Sequence, residues 1–374
     1  MTGGASLTQM QLLGVGSDTN VAEGYPRFAL TPGQQAIAAD LPALLAEATS
    51  TPFSVLEARA HTAFFGALGQ HAAPIGSGRI VSMYSSTVAI DVVAAALARR
   101  VRTVGVVNPV IDCIPAVFRG RGLELLPLSE RHLGSVDPLA GREDLEAVFT
   151  ASPNNPTGTV LSEVQLERLA RACLERGIPL IIDQCFRAFD RRAQFDTYAV
   201  LDRSGVEYVV IEDTGKLWPA GGIKLGFLVW GRATQLDLSE VASDILLTAP
   251  PFSVAVVERF ALDMAAGGLD QLHAHVATNR EILRNELAGC DRAAVADRDS
   301  RASVSMIRLP ADLSGTVLWG RLLQRGVHAV PCRPFYWARP KDGDRFLRIA
   351  LAREPEVVRR AALAVREAVG AALP

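Results

Sequence analysis

The strongest constraint on the fold is a regular alternation of short apolar runs and amphipathic segments across residues 79–247. The segments between the runs, such as "LSEVQLERLARACLERG", repeat with the period of a helix, while the runs have the length of strands. The runs are "RIVSMY", "TVGVVN", "LELLPL", "AVFTAS", "PLIIDQC", "YVVIEDT" and "LGFLVW". Strands that are apolar on both faces belong in a parallel sheet covered by helices on both sides. The pattern therefore predicts an α/β fold with a mainly parallel seven-stranded sheet, in which the last run, reached by a short loop, is antiparallel.

The sequence after about residue 250 changes character, because long helical stretches flank a small alternating segment made of "SVSMIRLP" and "FLRIALA". This suits a second, smaller α+β domain, closed by a terminal helix over "PEVVRRAALAVREAVGAAL". Near the N-terminus, Thr31 is placed to cap a helix whose first residue is Pro32. We predict a large domain over 36–255, with 1–35 and 256–374 forming an N-terminal lid segment and the small domain.

Composition excludes several classes of function. The 38 basic and 40 acidic residues are interspersed, and the net charge is −2. The sequence therefore has no basic patch of the kind that binds nucleic acid. No run approaches the roughly 18 apolar residues of a membrane helix, and no signal peptide is recognisable. The five cysteines are scattered without a C-x-x-C pair, which favours a reduced, cytoplasmic protein. His273 and His275 lie two apart in a helical stretch, so we expect surface histidines and no metal site.

Polar residues gather where the predicted strands end, which is where doubly wound sheets carry their functional groups. Lys216 follows the run "YVVIEDT", and a desolvated amine there would be partly deprotonated and able to form a Schiff base with a carbonyl cofactor. The alternative is an ordinary surface lysine. Asp183 ends "PLIID" and could hold a protonated pyridine nitrogen, or it could simply cap a helix.

Two further strand ends supply groups suited to an anion and to a ring oxygen. "YSSTVAID" places Ser85, Ser86 and Thr87 where a helix begins, which is either an anion site or ordinary capping. Lys224 could meet the same phosphate as a point charge. In "SPNNPTG", Asn155 is fixed before a proline and could donate to a phenolate oxygen, unless the motif is a plain turn.

Arg348 interrupts the strand-like run "FLRIALA" and is suited to bidentate capture of a carboxylate, with an edge-strand charge as the alternative. Each of these signals is weak alone. Together they are the groups needed to bind pyridoxal 5′-phosphate (PLP) and an amino acid.

The motifs "SPNNPTG", "IIDQCF", "DTGK", "GGIKLG" and "LRIALA" resemble, in order and spacing, the fold type I PLP enzymes of the aminotransferase superfamily. The resemblance implies that Lys216 is the Schiff-base lysine and that Arg348 binds the substrate carboxylate. It also implies a homodimer, for which "SDILLTAPPF" is the candidate interface segment. The cofactor-binding residues that it implies are Ser85, Ser86, Thr87, Asn155, Asp183, Cys185, Lys216 and Lys224.

A narrower and nearly full-length similarity is to the PLP- and oxygen-dependent L-arginine hydroxylase/oxidases of actinobacterial antibiotic pathways, such as L-enduracididine biosynthesis. It is carried by "TPGQQ", "LGQH", "VVIEDTGKLWP", "SDILL" and "GGLDQLHA". Ordinary aminotransferases commonly have Ser three residues before the lysine, where this chain has Asp213. The resemblance implies that Asp213 faces a substrate guanidinium, with Thr8 and Gln11 contributing from the lid.

The chain departs from this family at three positions and differs from ordinary aminotransferases at a fourth. Tyr25 stands where the family has a catalytic histidine, Gln11 where it has Glu, and Ile111 where an aromatic ring usually stacks on the cofactor. Phe186 stands where aminotransferases usually carry Tyr. We count Tyr25 with Lys216 as a catalytic position.

Three functions are therefore open. The first is an oxidase of L-arginine or a related guanidino amino acid, which uses O₂ to give a 2-keto acid with or without hydroxylation or desaturation. The second is an aminotransferase for a guanidino, possibly cyclic, amino acid and keto acid pair. The third is a binding protein that stores or senses an amino acid without catalysis.

Overall fold

The computed structural model describes residues 6–220 and 222–370. The helices are α1 (Leu7–Leu12), α2 (Pro32–Ala39), α3 (Leu41–Ser50), α4 (Phe53–Ala67), α5 (Ser86–Ala98), α6 (Cys113–Gly120), α7 (Glu130–Leu133), α8 (Glu163–Glu175), α9 (Thr197–Ser204), α10 (Leu238–Ile245), α11 (Pro251–Asp263), α12 (Leu269–Leu287), α13 (Gly315–Leu323) and α14 (Pro355–Gly370). The strands are β1 (Thr19–Asn20), β2 (Ile80–Met83), β3 (Thr103–Asn108), β4 (Glu124–Ser129), β5 (Ala147–Ala151), β6 (Leu180–Asp183), β7 (Tyr208–Asp213), β8 (Gly226–Trp230), β9 (Ala294–Val295), β10 (Val304–Arg308), β11 (Val327–His328), β12 (Val330–Pro331) and β13 (Phe346–Ala350).

The main sheet confirms the predicted fold class. Its seven strands follow the order β2-β8-β7-β6-β5-β3-β4, and each of the seven apolar runs supplies one of them. Strands β3 to β7 pair in parallel, whereas β8 is antiparallel to β7 and to β2, as predicted for the last run. Every residue of β5, β6, β7 and β8 is buried, because both faces of the sheet are covered.

A second, antiparallel sheet has the order β12-β13-β10-β9, and its central pair β10/β13 comes from the two segments predicted to alternate. Strand β1 pairs in parallel with β11, which ties the N-terminal segment to the C-terminal part. The apolar core runs without a break from the main sheet to α14, and a separate small cluster under α1 contains Leu7 and Phe335. The exact division into two domains stays a prediction.

Both predicted helix signals near the chain ends are found. Thr31 caps α2 and accepts a hydrogen bond from the backbone N–H of Gln34, with Pro32 at the first helical position. Helix α14 forms the predicted terminal helix up to Gly370, and the rest of that prediction lies outside the described residues, as does Gly221 of "GGIKLG". No helix in the described ranges is long and apolar enough to cross a membrane.

Candidate active site

A cavity of about 880 Å³ opens at the carboxyl ends of β5, β6 and β7, between the first turn of α5 and helix α1. It brings most of the predicted site residues together. Those that line it are Thr8, Gln11, Tyr25, Ser86, Thr87, Asn155, Asp183, Cys185, Lys216, Lys224 and Arg348. Ser85 and Asp213 are not in the wall and lie directly behind it, where the Ser85 hydroxyl caps α5.

Lys216 lies in the turn that follows β7. Its Nζ is 3.7 Å from Oδ1 of Asp213 and 5.3 Å from the centroid of the Phe186 ring. Burial alone would lower the pKa of Lys216, but Asp213 and the other groups around the amine, Cys185, Asp183 and Tyr25, together outweigh that effect and the pKa is raised. The expectation of a partly deprotonated amine is therefore wrong for the chain by itself, because the strand pattern did not indicate that Asp213 turns back toward the lysine.

Asp213 connects the lysine turn to the start of α5. Its Oδ2 accepts a hydrogen bond from the backbone N–H of Ser86 (3.0 Å), and its Oδ1 accepts one from the N–H of Gly215 (2.5 Å). Burial would raise the pKa of Asp213, yet Lys216 and these N–H groups lower it overall. Both carboxylate oxygens thus have partners inside the chain, and the predicted contact of Asp213 with a guanidinium stays a prediction.

The first turn of α5 reaches the cavity wall at Ser86 and Thr87. The N–H of Ser86 is bound to Asp213 and that of Val88 to the Ser85 hydroxyl, so the groups of this turn suited to an anion are the N–H of Thr87 and the hydroxyls of Ser86 and Thr87. Strand β8 passes very close to this turn at Gly226, where a Cβ atom would lie 2.5 Å from the carbonyl carbon of Ser85. Only glycine permits this approach, so the position of the anion site depends on a residue with no side chain. These groups fit a phosphate.

Asp183 ends β6 and is buried in the cavity wall, where its Oδ1 accepts a hydrogen bond from the N–H of Cys185 (2.9 Å). Within the described residues no basic side chain lies at ion-pair distance from it, and burial raises its pKa. A buried carboxylate without a cation fits the protonated ring nitrogen of PLP, which would restore a charge partner. Cys185 interacts with Asp183 through its backbone N–H and through its thiol, whose pKa burial raises well above the usual value.

Asn155 sits in the turn "SPNNPTG" with its side chain in the cavity wall, and its buried Oδ1 has no partner among the described residues. The turn is braced by Glu130, whose Oε1 accepts hydrogen bonds from Nδ2 of Asn154 (2.6 Å) and from the hydroxyl of Thr157 (2.5 Å). Burial raises the pKa of Glu130. Sequence reasoning missed Glu130, because in "LSERHLG" it looks like any acidic residue in the first turn of a helix.

Arg348 projects from β13 and is only 1% exposed. One of its terminal nitrogens donates to the carbonyl of Ala22, and its guanidinium lies 5.5 Å from the centroid of the Phe335 ring. Its Nε has no partner, no acidic side chain of the described residues pairs with it, and burial lowers its pKa to about 10. A buried guanidinium with unused N–H groups is suited to bind a carboxylate.

Tyr25 and Lys224 meet at the mouth of the cavity. The ammonium of Lys224 donates a hydrogen bond to the Tyr25 hydroxyl and lies 4.3 Å from the centroid of that ring. Lys224, which was predicted to bind the phosphate, is thus hydrogen-bonded to Tyr25, which was predicted to be catalytic. Nothing in the local sequence around either residue indicates this contact, since the two are far apart in the chain.

Arg353, which sequence reasoning also missed, fixes the backbone that carries Tyr25. Its Nε donates to the carbonyl of Asn20 (2.6 Å), and its two terminal nitrogens donate to those of Tyr25 (2.5 Å) and Glu23 (2.7 Å). Burial lowers its pKa to about 9. A second arginine shortly after the apolar run of β13 is the signal that could have identified it.

The two histidines expected at the surface are half-buried instead. Nε2 of His273 lies 2.6 Å from the carbonyl oxygen of Ala188, and Nε2 of His275 lies 2.7 Å from that of Arg353. The helical stretch was predicted correctly, but the sequence did not indicate which loops pack against it. In the part of the chain that the structure describes, no group of three acidic, histidine or cysteine side chains is arranged to hold a metal.

Known proteins match this chain over most of its length. The model of the family "Aminotransferase class I and II" matches residues 36–365. The histidinol-phosphate aminotransferase of Acidovorax sp. (strain JS42) is 28% identical over 251 residues, an alignment that spans 64% of this chain and 64% of that relative.

Two solved structures are also similar. The structure of MppP soaked with the product 2-ketoarginine is 42% identical, with a TM-score of 0.92 over 94% of this chain and 99% of that one. LysN, the α-aminoadipate aminotransferase of Thermus thermophilus, complexed with N-(5′-phosphopyridoxyl)-L-leucine, has a TM-score of 0.79 at 19% identity over 98% and 94% of the two chains. The second likeness concerns the fold alone.

The fold, the family match over residues 36–365 and a cavity whose groups fit each part of PLP agree with one another. The chain belongs to the class I and II aminotransferase family of fold type I enzymes, and its cofactor is pyridoxal 5′-phosphate.

Proposed function

We propose that the protein is a PLP-dependent oxidase of L-arginine or a related guanidino amino acid, which uses O₂ to form a 2-keto acid. The observation that carries the proposal is the 42% identity, over nearly all of both chains, to a protein whose product is 2-ketoarginine. 2-Ketoarginine is the 2-keto acid of arginine. The buried Arg348 supports the proposal because its unused N–H groups can hold the α-carboxylate of such a substrate.

The site residues take the following parts in this proposal. Lys216 would hold the cofactor covalently and move a proton at the substrate Cα, Asp183 would be the partner of the ring nitrogen, and Asn155 that of the ring hydroxyl. When bound, PLP draws electrons from Cα. In the simplest net reaction the amino acid loses two electrons, O₂ is reduced to hydrogen peroxide, and water supplies the keto oxygen as ammonia leaves. Hydroxylated or desaturated products would require further oxidation by O₂.

The second candidate is an aminotransferase for a guanidino amino acid, possibly a cyclic one. The sequence relatives favour it, since the matched family and the Acidovorax relative are aminotransferases. Tyr25 favours it as well, because this chain lacks the histidine that the resembled oxidases carry there.

The proposal also covers the location, the oligomeric state and the metabolic role of the enzyme. We propose a cytoplasmic homodimer that acts in specialised metabolism, such as antibiotic biosynthesis. The exposed apolar side chains of Ile245 and Leu247, in the segment predicted as the interface, support the dimer.

An oxygen electrode tests the proposal. Holoenzyme and L-arginine, without any keto acid, should consume O₂ and release a 2-keto acid. Absence of uptake, together with transfer of the amino group to an added keto acid, would establish the aminotransferase instead.

A further inference from the structure

We propose that Asp112 is the carboxylate that recognises the cationic end of the substrate side chain. This inference rests on the proposed function, because it assumes a substrate with a guanidinium. It assigns the recognition of that group to a residue that neither the motifs nor the resemblance indicated.

The acidic residues around the cavity have different partners. Glu23 lines the wall but its Oε2 already accepts two hydrogen bonds from Arg27, at 2.9 and 2.8 Å. Asp183 lies where the ring nitrogen of the cofactor fits. Asp213 is outside the wall, and both of its oxygens accept hydrogen bonds from backbone N–H groups.

Asp112 is the acidic residue of the described wall that remains without a cation. It occupies the position before α6, yet its side chain makes no capping hydrogen bond to that helix. Its Oδ2 instead accepts a hydrogen bond from the backbone N–H of Leu7, at the first residue of α1, at 2.9 Å. A local sequence pattern would have assigned Asp112 to capping, whereas the fold uses it as a contact between the cavity and the lid helix.

The surroundings of Asp112 suit a bound cation. Thr8 and Gln11 of the same lid helix line the cavity beside it and present polar side chains. Burial raises the pKa of Asp112, which is the direction expected of a carboxylate that has lost water without gaining a positive partner. A guanidinium would supply that partner, with two parallel N–H groups for the carboxylate.

The opposite end of the substrate carries the negatively charged α-carboxylate. Arg348 lines the same cavity, and the charges of Arg348 and Asp112 influence one another although the two are not paired. A guanidino amino acid carries an anionic and a cationic end separated by an aliphatic chain. The cavity thus presents an arginine to the first end and a carboxylate to the second.

Asp112→Asn tests the inference in the holoenzyme. The amide oxygen of Asn can still accept the N–H of Leu7, so α1 keeps its docking contact while the negative charge is lost. We compare kcat/KM for L-arginine with that for L-citrulline, a neutral molecule of nearly the same shape. The preference for arginine should fall by about tenfold or more in Asp112→Asn, the size expected when a desolvated charge loses its partner.

Three further variants sharpen the test. Glu23→Gln makes the same isosteric change at another cavity-lining carboxylate and should keep the preference. Asp112→Glu retains the charge and should restore most of it, which a merely structural role would not predict. Asp213→Asn tests whether Asp213, behind the cavity wall, recognises the guanidinium instead of Asp112.

Two outcomes would overturn the inference in distinguishable ways. If the wild type does not prefer arginine to citrulline, the proposed substrate class fails and the role of Asp112 fails with it. If the wild type prefers arginine and Asp112→Asn prefers it equally, or only Asp213→Asn loses the preference, the substrate class stands and Asp112 is not its recognition residue.

Discussion

Tyr25 is the residue at which this chain differs most consequentially from the oxidases that it resembles. An imidazole can take up and release protons near neutral pH, whereas a phenol holds its proton there and is a poor general base. The contact with Lys224 gives Tyr25 a role in holding the mouth of the cavity.

We therefore predict that the wild type forms mainly non-hydroxylated keto products from arginine, and that Tyr25→His raises the hydroxylated fraction. Mass spectrometry of the products of both proteins checks this, with Tyr25→Phe as the control that removes the hydroxyl without adding an imidazole. Abundant hydroxylated product from the wild type would show that this position does not control the outcome.

A second prediction at the residue scale concerns His61 on α4, whose Nε2 lies 3.0 Å from the hydroxyl of the buried Ser82. Burial lowers the pKa of His61 to about 3, from an ordinary value of 6.5. The unfolded chain binds a proton below pH 6.5 and the folded protein does not until about pH 3. The contribution of His61 to the free energy of unfolding is therefore complete above pH 6.5 and is lost as the pH falls from 6.5 toward about 3.

The expected loss of unfolding free energy between pH 7 and pH 5 is about 2 kcal/mol. His61→Gln can keep the hydrogen bond to Ser82 but has no charge to gain, so its stability should fall less over this range. Denaturant unfolding at both pH values measures the difference, and the exposed His71→Gln is the control. Equal pH dependence in wild type and His61→Gln would contradict the assignment.

At the scale of elements, arginines hold the segment of residues 20–25 in addition to the backbone pairing of Asn20 and Val21. Arg353 binds three of its carbonyl groups and Arg348 a fourth. A lysine cannot bind these carbonyl groups together, because a single ammonium does not reproduce the spread N–H groups of a planar guanidinium.

Arg353→Lys should therefore displace Tyr25 and lower kcat/KM for the amino acid substrate by about tenfold or more. Arg360→Lys is a matched control, since Arg360 bonds the neighbouring Asp18 and Thr19 on the side away from the cavity. Steady-state kinetics of the two variants gives the comparison. Equal effects would mean that Arg353 contributes to general stability and not to the position of Tyr25.

Elements were largely predictable from the sequence, while their mutual contacts were not. Each strand of the main sheet is a local apolar run, and the cap at Thr31 is a local arrangement of side chains, so both are visible without the fold. The brace at Glu130 and the contact of Asp112 with α1 join residues that are distant in the chain. No local pattern encodes which partners such carboxylates find.

The same distinction holds for the candidate site. The strand-end rule placed Lys216, Asp183 and Asn155 at one cavity correctly, because parallel strands end at the same edge. It could not show that Asp213 turns toward the lysine and the start of α5. That direction depends on the N–H groups of Ser86 and Gly215, which become available only in the folded chain.

At the scale of the whole molecule, the exposed side chains of the predicted interface segment support the proposed dimer. Leu247 is 91% exposed and Ile245 40%, an arrangement more often found where a second chain binds. Light scattering should find a dimer for the wild type and a shift toward monomer for Leu247→Asp. Val136→Asp, at another exposed apolar position, is the control. A fully active wild-type monomer would contradict the prediction.

Oxidation of a guanidino amino acid by O₂ is distinguished from amino transfer by the number of product molecules formed per active site. Holoenzyme is mixed with excess L-arginine and no keto acid, in air and under argon, and the 2-keto acid formed is quantified. An oxidase should form many equivalents per site in air and show no continued turnover under argon. At most one equivalent per site under both conditions, with more only after a keto acid is added, would contradict the proposed oxidase activity, because an aminotransferase stops after a single amino transfer.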